Sequence, residues 1–144
     1  MKKTCTAIAL MLGAGGGWAQ MTPIGTWQSV DDKTGEARAQ MQISEADGLL
    51  SGRIDKLLRK EAKPDARCTE CSDERKDKPM LGLEIIRGAK KADGKSVWED
   101  GQILDPENGK TYTLRLTPVE GGNRLEVRGS VLGIGRTQTW TRVQ

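Results

Sequence analysis

The sequence predicts an all-β protein that folds as an eight-stranded antiparallel up-and-down barrel, with a two-sheet sandwich as the alternative. One observation is the regular recurrence of residue pairs that favour tight turns, such as Asp47-Gly48 and Asn108-Gly109. The other is the alternation of apolar and polar residues between the turns, for example over residues 37–43, which is typical of strands with one buried face. Helical spacing is not sustained anywhere after residue 19. Eight antiparallel strands have the number that closes a small barrel.

The segments between the turn signals define the strands. We expect them near residues 24–29, 36–44, 48–58, 81–88, 96–104, 110–117, 123–130 and 136–143. Short turns join consecutive strands into a meander, except for one long connection at residues 59–79. Of its 21 residues, seven are basic and six are acidic, and this mixture of signs predicts a solvated loop.

Residues 1–19 have the pattern of a secretory signal peptide cleaved after Ala19. Two lysines precede an uncharged, largely apolar stretch, and small residues lead to the cleavage point. The apolar stretch is about half of the roughly 20 residues that a transmembrane helix needs. We expect residues 20–144 to form a single exported domain. Because two of the 23 basic residues belong to the signal, 21 remain against 20 acidic ones, and this balance gives no indication of a nucleic-acid partner.

The composition narrows the possible functions. The chain has no histidine, which excludes Ser-His and Cys-His nucleophiles and histidine-ligated metals. We therefore expect a non-enzymatic protein with no cofactor, no metal and no catalytic residues. The chain also has only four Trp, one Tyr and no Phe, too few for the two aromatic girdles of a membrane barrel. An integral membrane protein is not expected.

The carboxylates Glu99, Asp100 and Asp105 are close together in sequence, and two carboxylates are sufficient for a glycosidase. Strand alternation is expected to place Glu99 and Asp100 on opposite faces of the sheet. Asp105 begins the turn at residues 105–109, where an aspartate side chain accepts hydrogen bonds from backbone N–H groups. Turn formation is therefore the preferred interpretation.

The two cysteines after the signal, Cys68 and Cys71, are expected to form a disulfide in an exported protein. A redox-active pair would need the helix start and βαβ context of thioredoxin-like proteins, and the sequence indicates neither. A zinc site would need two further ligands. The preferred interpretation is a structural disulfide that fixes one loop.

Trp27 opens the first predicted strand, whereas Trp140 and Arg142 close the last one. The first and last strands of a closed meander are neighbours. A basic side chain from the last strand can then lie across an indole of the first and combine cation–π attraction with burial of its methylene groups. We expect these three residues to have a structural role at one end of the barrel.

A series of short motifs runs through the chain in a fixed order. They are Gly25-Thr26-Trp27, Cys68-x-x-Cys71, Asp77-Lys78-Pro79, Gly82-Leu83, Ile85-Ile86, Trp98, Gly101, Ile103-Leu104-Asp105-Pro106, Gly109-Lys110-Thr111-Tyr112 and the segment from Arg136 to Arg142. Together they resemble an exported bacterial family classified as a domain of unknown function. The Gly-x-Trp start with a late Arg is similar to the structural signature of lipocalin-like barrels. The resemblance implies a lipocalin-like barrel in the periplasm or outside the cell, and it supplies no ligand or catalytic residue.

The function predicted from this architecture is the binding of a small apolar or amphipathic molecule, because small barrels are either filled by side chains or hold one ligand. The residues expected to line the ligand site are Met41, Trp98, Tyr112, Leu114 and Val127. The same residues could instead fill a dry core. A second hypothesis is a protein-interaction module, such as an inhibitor of an envelope hydrolase, that uses the loop at residues 59–79 as its contact.

Overall fold

A computed structural model describes residues 21–144, and the expected signal peptide at residues 1–19 lies outside the described residues. Eight antiparallel strands close into one barrel in which each strand pairs with its sequence neighbours and the last pairs with the first. The strands are β1 (Gly25–Val30), β2 (Ala37–Ala46), β3 (Leu49–Leu57), β4 (Glu84–Lys91), β5 (Trp98–Asp105), β6 (Lys110–Val119), β7 (Arg124–Val131) and β8 (Ile134–Arg142). The predicted up-and-down barrel is confirmed, and the alternative sandwich is wrong.

The strand boundaries follow the turn signals closely, with one larger error at β4. The sequence predicts this strand from residue 81, but it begins at Glu84. The preceding residues form a turn instead: the Gly82 N–H donates to the Ile54 carbonyl at 2.8 Å and the Leu83 N–H donates to the Met80 carbonyl at 3.1 Å. Gly82 has a φ of 82°, a left-handed conformation that suits glycine in a turn.

One end of the barrel, the closed end, carries the start of β1, the end of β8 and the β2–β3, β4–β5 and β6–β7 connections. Trp27 is completely buried there, and its indole Nε1 donates to the Pro23 carbonyl at 2.7 Å. The Arg142 guanidinium lies over the Trp27 ring, 4.2 Å from its centroid. Arg142 also donates hydrogen bonds to the carbonyls of Thr22, Ile24 and Gly122 at 2.6–2.8 Å. These bonds connect the last strand to the segment before β1 and to the β6–β7 connection.

The other end, the open end, carries the β1–β2, β3–β4, β5–β6 and β7–β8 connections. The β3–β4 connection contains the disulfide loop, residues 66–80, whose ends are joined by a 2.8 Å hydrogen bond from the Met80 N–H to the Ala66 carbonyl. The predicted disulfide between Cys68 and Cys71 is present, with a Cα–Cα distance of 5.4 Å. The disulfide loop lies against β4 and the β5–β6 turn, where the carbonyl of Glu70 contacts Gly109.

The loop is expected to be solvated and fixed by its two cysteines, and Cys68 and Cys71 are indeed buried; the buried Arg75 departs from this expectation. Arg75 donates to the carbonyl of Glu84 on β4 at 2.9 Å and forms an ion pair of 2.5 Å with Asp73. The side-chain and backbone hydrogen bonds from Arg75 lower the pKa of Asp73 to about 2. These contacts fix the disulfide loop to the barrel wall.

Candidate functional site

A cavity of about 590 Å³ enters the barrel from the open end. This volume is within the range of sites that hold small molecules. Its wall is formed mainly by apolar side chains on the inner faces of the strands, among them Met41, Ile54, Ile103 and Val127. Strand alternation explains this lining, because every second residue of a strand points into the barrel. The site can therefore accept an apolar group of substantial size.

The β3–β4 connection completes the cavity wall. Ala62, Ala66 and Met80 contribute to the lining although they belong to a segment dominated by charged residues. Ala62 and Ala66 are half-buried, as is Met80. The cavity is thus enclosed partly by the barrel and partly by the segment that the disulfide fixes.

The rim of the cavity carries a small network of charges. Arg38 forms an ion pair with Glu107 at 2.7 Å, and Arg59 lies 3.3 Å from the same carboxylate and 3.5 Å from Asp31. Hydrogen bonds from the backbone N–H groups of Lys33 and Thr34 lower the pKa of Asp31, and the charge of Arg59 adds to the effect. Polar chemistry at the rim above an apolar interior matches the two parts of an amphipathic molecule.

The structure brings three of the five expected ligand-site residues together. Met41, Tyr112 and Val127 all line the cavity. Tyr112 points its hydroxyl toward the open end, where it accepts a hydrogen bond from the Asn108 side chain at 3.2 Å.

Trp98 and Leu114 are buried but do not belong to the cavity lining. Trp98 begins β5 at the closed end and pairs with Leu116. Leu114 is the next inward residue after Tyr112 on β6, on the side of the closed end, and it is completely buried. Neither residue therefore lines the cavity, which lies mainly in the open half of the barrel and reaches Trp140 on β8.

Several lining residues were not anticipated from the sequence. Trp140 was expected only to close the barrel, yet it also lines the cavity. Arg38 and Arg59 also lie at the cavity, and their charge gives no indication of this position. The alternation of β2 places Ala39 and Met41 inside and therefore gave a partial signal for this wall, but no sequence feature indicated that Arg59 would reach the β5–β6 turn.

The carboxylates considered as a catalytic pair do not form one. A bulge at Asp100, with a φ of 62°, interrupts the alternation of β5, so the reasoning from strict alternation does not hold there. Glu99 lies on the outer surface 3.9 Å from Arg115. Asp105 accepts a 2.9 Å hydrogen bond from the Glu107 N–H, as its turn position predicts.

Within residues 21–144, no group of three or more cysteine, aspartate or glutamate side chains is arranged to hold a metal ion. No helix in this part of the chain is long and apolar enough to cross a membrane.

The closed eight-stranded meander with a cavity at one end defines a lipocalin-like barrel. The chain belongs to DUF2147, a family described as an uncharacterized protein conserved in bacteria, which matches residues 25–142. Its fold is similar to the solved structure of protein HP1028 from the human pathogen Helicobacter pylori, described as belonging to the lipocalin family. The two share 17% identity with a TM-score of 0.70, over 84% of this chain and 82% of the other. No curated protein matches the sequence.

Proposed function

We propose that this protein is an exported, non-enzymatic binding protein that holds a small apolar or amphipathic molecule in its barrel. The observation that carries the proposal is the cavity of about 590 Å³ with an apolar wall and a charged rim. An apolar group that enters it leaves water, which stabilises the complex by roughly 25 cal/mol for each Å² of apolar surface removed. Met41, Tyr112 and Val127 are the proposed contacts.

The rim gives the proposed ligand an orientation. Its apolar part lies between β2, β6 and β7, and its polar end lies near Arg38, Arg59 and Glu107. Two arginines share the single Glu107 carboxylate, so an anionic or hydrogen-bond-accepting group at the rim can interact with one of them without leaving the carboxylate unpaired. This arrangement supports an amphipathic ligand over a purely apolar one.

The proposed location is the periplasm or the medium outside a bacterial cell. A bacterial family and a disulfide between Cys68 and Cys71 support export, as does the signal-like pattern of residues 1–19. The absence of histidine from the sequence supports a binding role over nucleophilic or acid–base catalysis.

The alternative role as a protein-interaction module has less support. A filled core and a protruding loop at residues 59–79 would support that role. Instead, Ala62 and Ala66 form part of the cavity wall, and Arg75 anchors the disulfide loop to β4. This segment contributes to a small-molecule site more directly than to a projecting contact surface.

A cavity-filling substitution tests the proposal. Ala39 is a half-buried residue of the cavity wall, and Ala39→Trp places an indole in the space proposed for the ligand. Ala46 lies on the same strand but is exposed at the closed end, so Ala46→Trp is a matched control. The probe is a fluorescent fatty acid whose emission rises in an apolar environment, titrated into each purified protein.

We expect the native protein and Ala46→Trp to bind the probe equally and Ala39→Trp to bind it at least tenfold more weakly. Far-ultraviolet circular dichroism verifies that both variants retain the barrel. Equal binding by all three proteins, or no binding of fatty acids, sterols or phospholipids by the native protein, would contradict the proposal.

A further inference from the structure

The tip of the β7–β8 hairpin is the most exposed apolar feature of the described chain. Val131, Leu132 and Ile134 are 51%, 98% and 83% exposed. The two strands pair up to Val131 and Ile134, so Leu132 and Gly133 form a two-residue turn. Three aliphatic side chains therefore project together from the open end.

The backbone at the tip makes leucine an unfavourable choice for folding. Leu132 has a φ of 52° and Gly133 a φ of 78°, the left-handed conformations of a type I′ turn. Asparagine, aspartate or glycine is preferred at the first of these positions, whereas a bulky side chain is strained there. The Leu132 side chain gains nothing in return from the fold, because it is almost fully exposed. Such a local cost is typical of residues kept for an interaction.

The charge of the residues near the tip indicates which kind of surface the tip contacts. From residue 127 to the end of the chain, the sequence contains no aspartate or glutamate, and Arg128 and Arg136 flank the tip. Arg136 lies about 7 Å from the Val131–Ile134 pair along the strand and Arg128 about 10 Å, at roughly 3.3 Å per residue. Apolar groups of membrane-surface proteins enter a bilayer by about 5–10 Å, which would bring both arginines to the level of the lipid phosphates.

Asp32 on the β1–β2 connection is the carboxylate that contacts Arg136. Arg136 is still 69% exposed, so its guanidinium can also approach a phosphate. A convex aliphatic tip with basic flanks fits an anionic bilayer surface better than it fits an apolar groove on a protein.

The tip is continuous with the candidate site. Ile134 and Arg136 both line the cavity, so insertion of the tip would bring the cavity opening to the membrane surface. An amphipathic ligand could then pass between bilayer and barrel with little exposure to water. This passage of ligand rests on the proposed function, whereas docking of the tip on the bilayer does not.

We propose that the β7–β8 tip docks the protein reversibly on a bilayer that contains anionic phospholipid. The test measures co-sedimentation of the full mature protein with vesicles of phosphatidylethanolamine and phosphatidylglycerol. Leu132→Asn removes the apolar side chain and installs the residue that the turn prefers, so the variant retains its fold. Leu49→Asn is the matched control, because Leu49 is an exposed leucine, 46% accessible, beside the β2–β3 turn at the closed end.

We expect Leu132→Asn to lower the vesicle partition coefficient about ten- to a hundredfold, as the loss of one buried leucine predicts, while Leu49→Asn leaves it unchanged. Vesicles without phosphatidylglycerol, or high salt, should weaken binding of the native protein through the arginines. Equal partitioning of Leu132→Asn and native protein would overturn the proposal. The proposal would also be overturned if the native protein did not co-sediment with vesicles and instead formed dimers that Leu132→Asn dissociates.

The vesicle test of docking and the probe test of the proposed function can be told apart. Leu132→Asn should bind the fluorescent fatty acid in the absence of vesicles as the native protein does. Loss of vesicle binding with intact probe binding supports docking by the tip. Vesicle binding without any probe binding would leave docking in place and contradict the ligand-binding function.

Discussion

Gly109 offers a sharp test of how the disulfide loop is seated on the barrel. A Cβ atom at this position would overlap the carbonyl oxygen of Glu70 and lie 2.6 Å from the carbonyl carbon. Gly109 also has a φ of 74°. Gly109→Ala therefore has two costs: the left-handed backbone, about 1–2 kcal/mol for a residue with a Cβ, and the displacement of a packed backbone, about 1–3 kcal/mol.

Gly94→Ala separates the two costs. Gly94 lies in the β4–β5 connection with a similar φ of 67°, and a Cβ there would meet nothing within 4 Å. Gly94→Ala should lower the free energy of unfolding by only the backbone cost of about 1–2 kcal/mol. Gly109→Ala should lower it by about 2–5 kcal/mol, the sum of both costs.

Urea denaturation followed by tryptophan fluorescence measures the difference, with the disulfide kept oxidised in both proteins. Gly109→Ala should also weaken ligand binding, because the same β5–β6 turn carries Glu107 at the cavity rim. If the two variants lost the same free energy within about 0.5 kcal/mol, a typical scatter for surface substitutions, the disulfide loop would not pack on this turn.

Three further outcomes are expected. Arg142→Ala should lower the free energy of unfolding by about 3–5 kcal/mol in urea titrations, because several charged hydrogen bonds and a stacked indole are lost together, and Arg142→Lys should recover only part of this. Asp73→Asn should cost about 1–2 kcal/mol at neutral pH, since it removes the carboxylate partner of the buried Arg75. The pKa of Asp73 is lowered to about 2, so this contribution is complete above pH ~4, the unfolded value, and is lost as the pH falls toward 2; the two proteins should converge in acid denaturation. Reduction of the Cys68–Cys71 disulfide should cost about 2 kcal/mol, the loop-closure value for a short loop, and thermal unfolding with and without a thiol reductant measures it.

The meander could be predicted because its determinants are local. Turn pairs such as Asp47-Gly48 and Asn108-Gly109 specify where each strand stops, and the alternation between them specifies the buried face. The error at β4 arose because the bond from Gly82 to Ile54 joins residues far apart in sequence. No local sequence pattern predicts such a bond.

The candidate site was harder to predict than the fold, because alternation shows which residues point inward but not which of them line the cavity. Trp98 and Tyr112 are both inward aromatic residues, yet Trp98 packs with Leu116 at the closed end while Tyr112 lines the cavity. The position of an inward residue along the barrel axis depends on the register of several strand pairs. Arg59 reaches Glu107 only because the long connection folds back onto the rim.

The central claim, that the cavity of the barrel holds an amphipathic ligand, is tested most directly by nuclear Overhauser effects between labelled protein and an unlabelled fatty acid. Tyr112 is the only tyrosine of the chain, so its ring signals are unambiguous. The account predicts contacts from the acyl chain to the Tyr112 ring and the Val127 methyl groups, and none to the Trp98 indole. Contacts confined to the outer surface, or contacts to Trp98 without any to Tyr112, would contradict it.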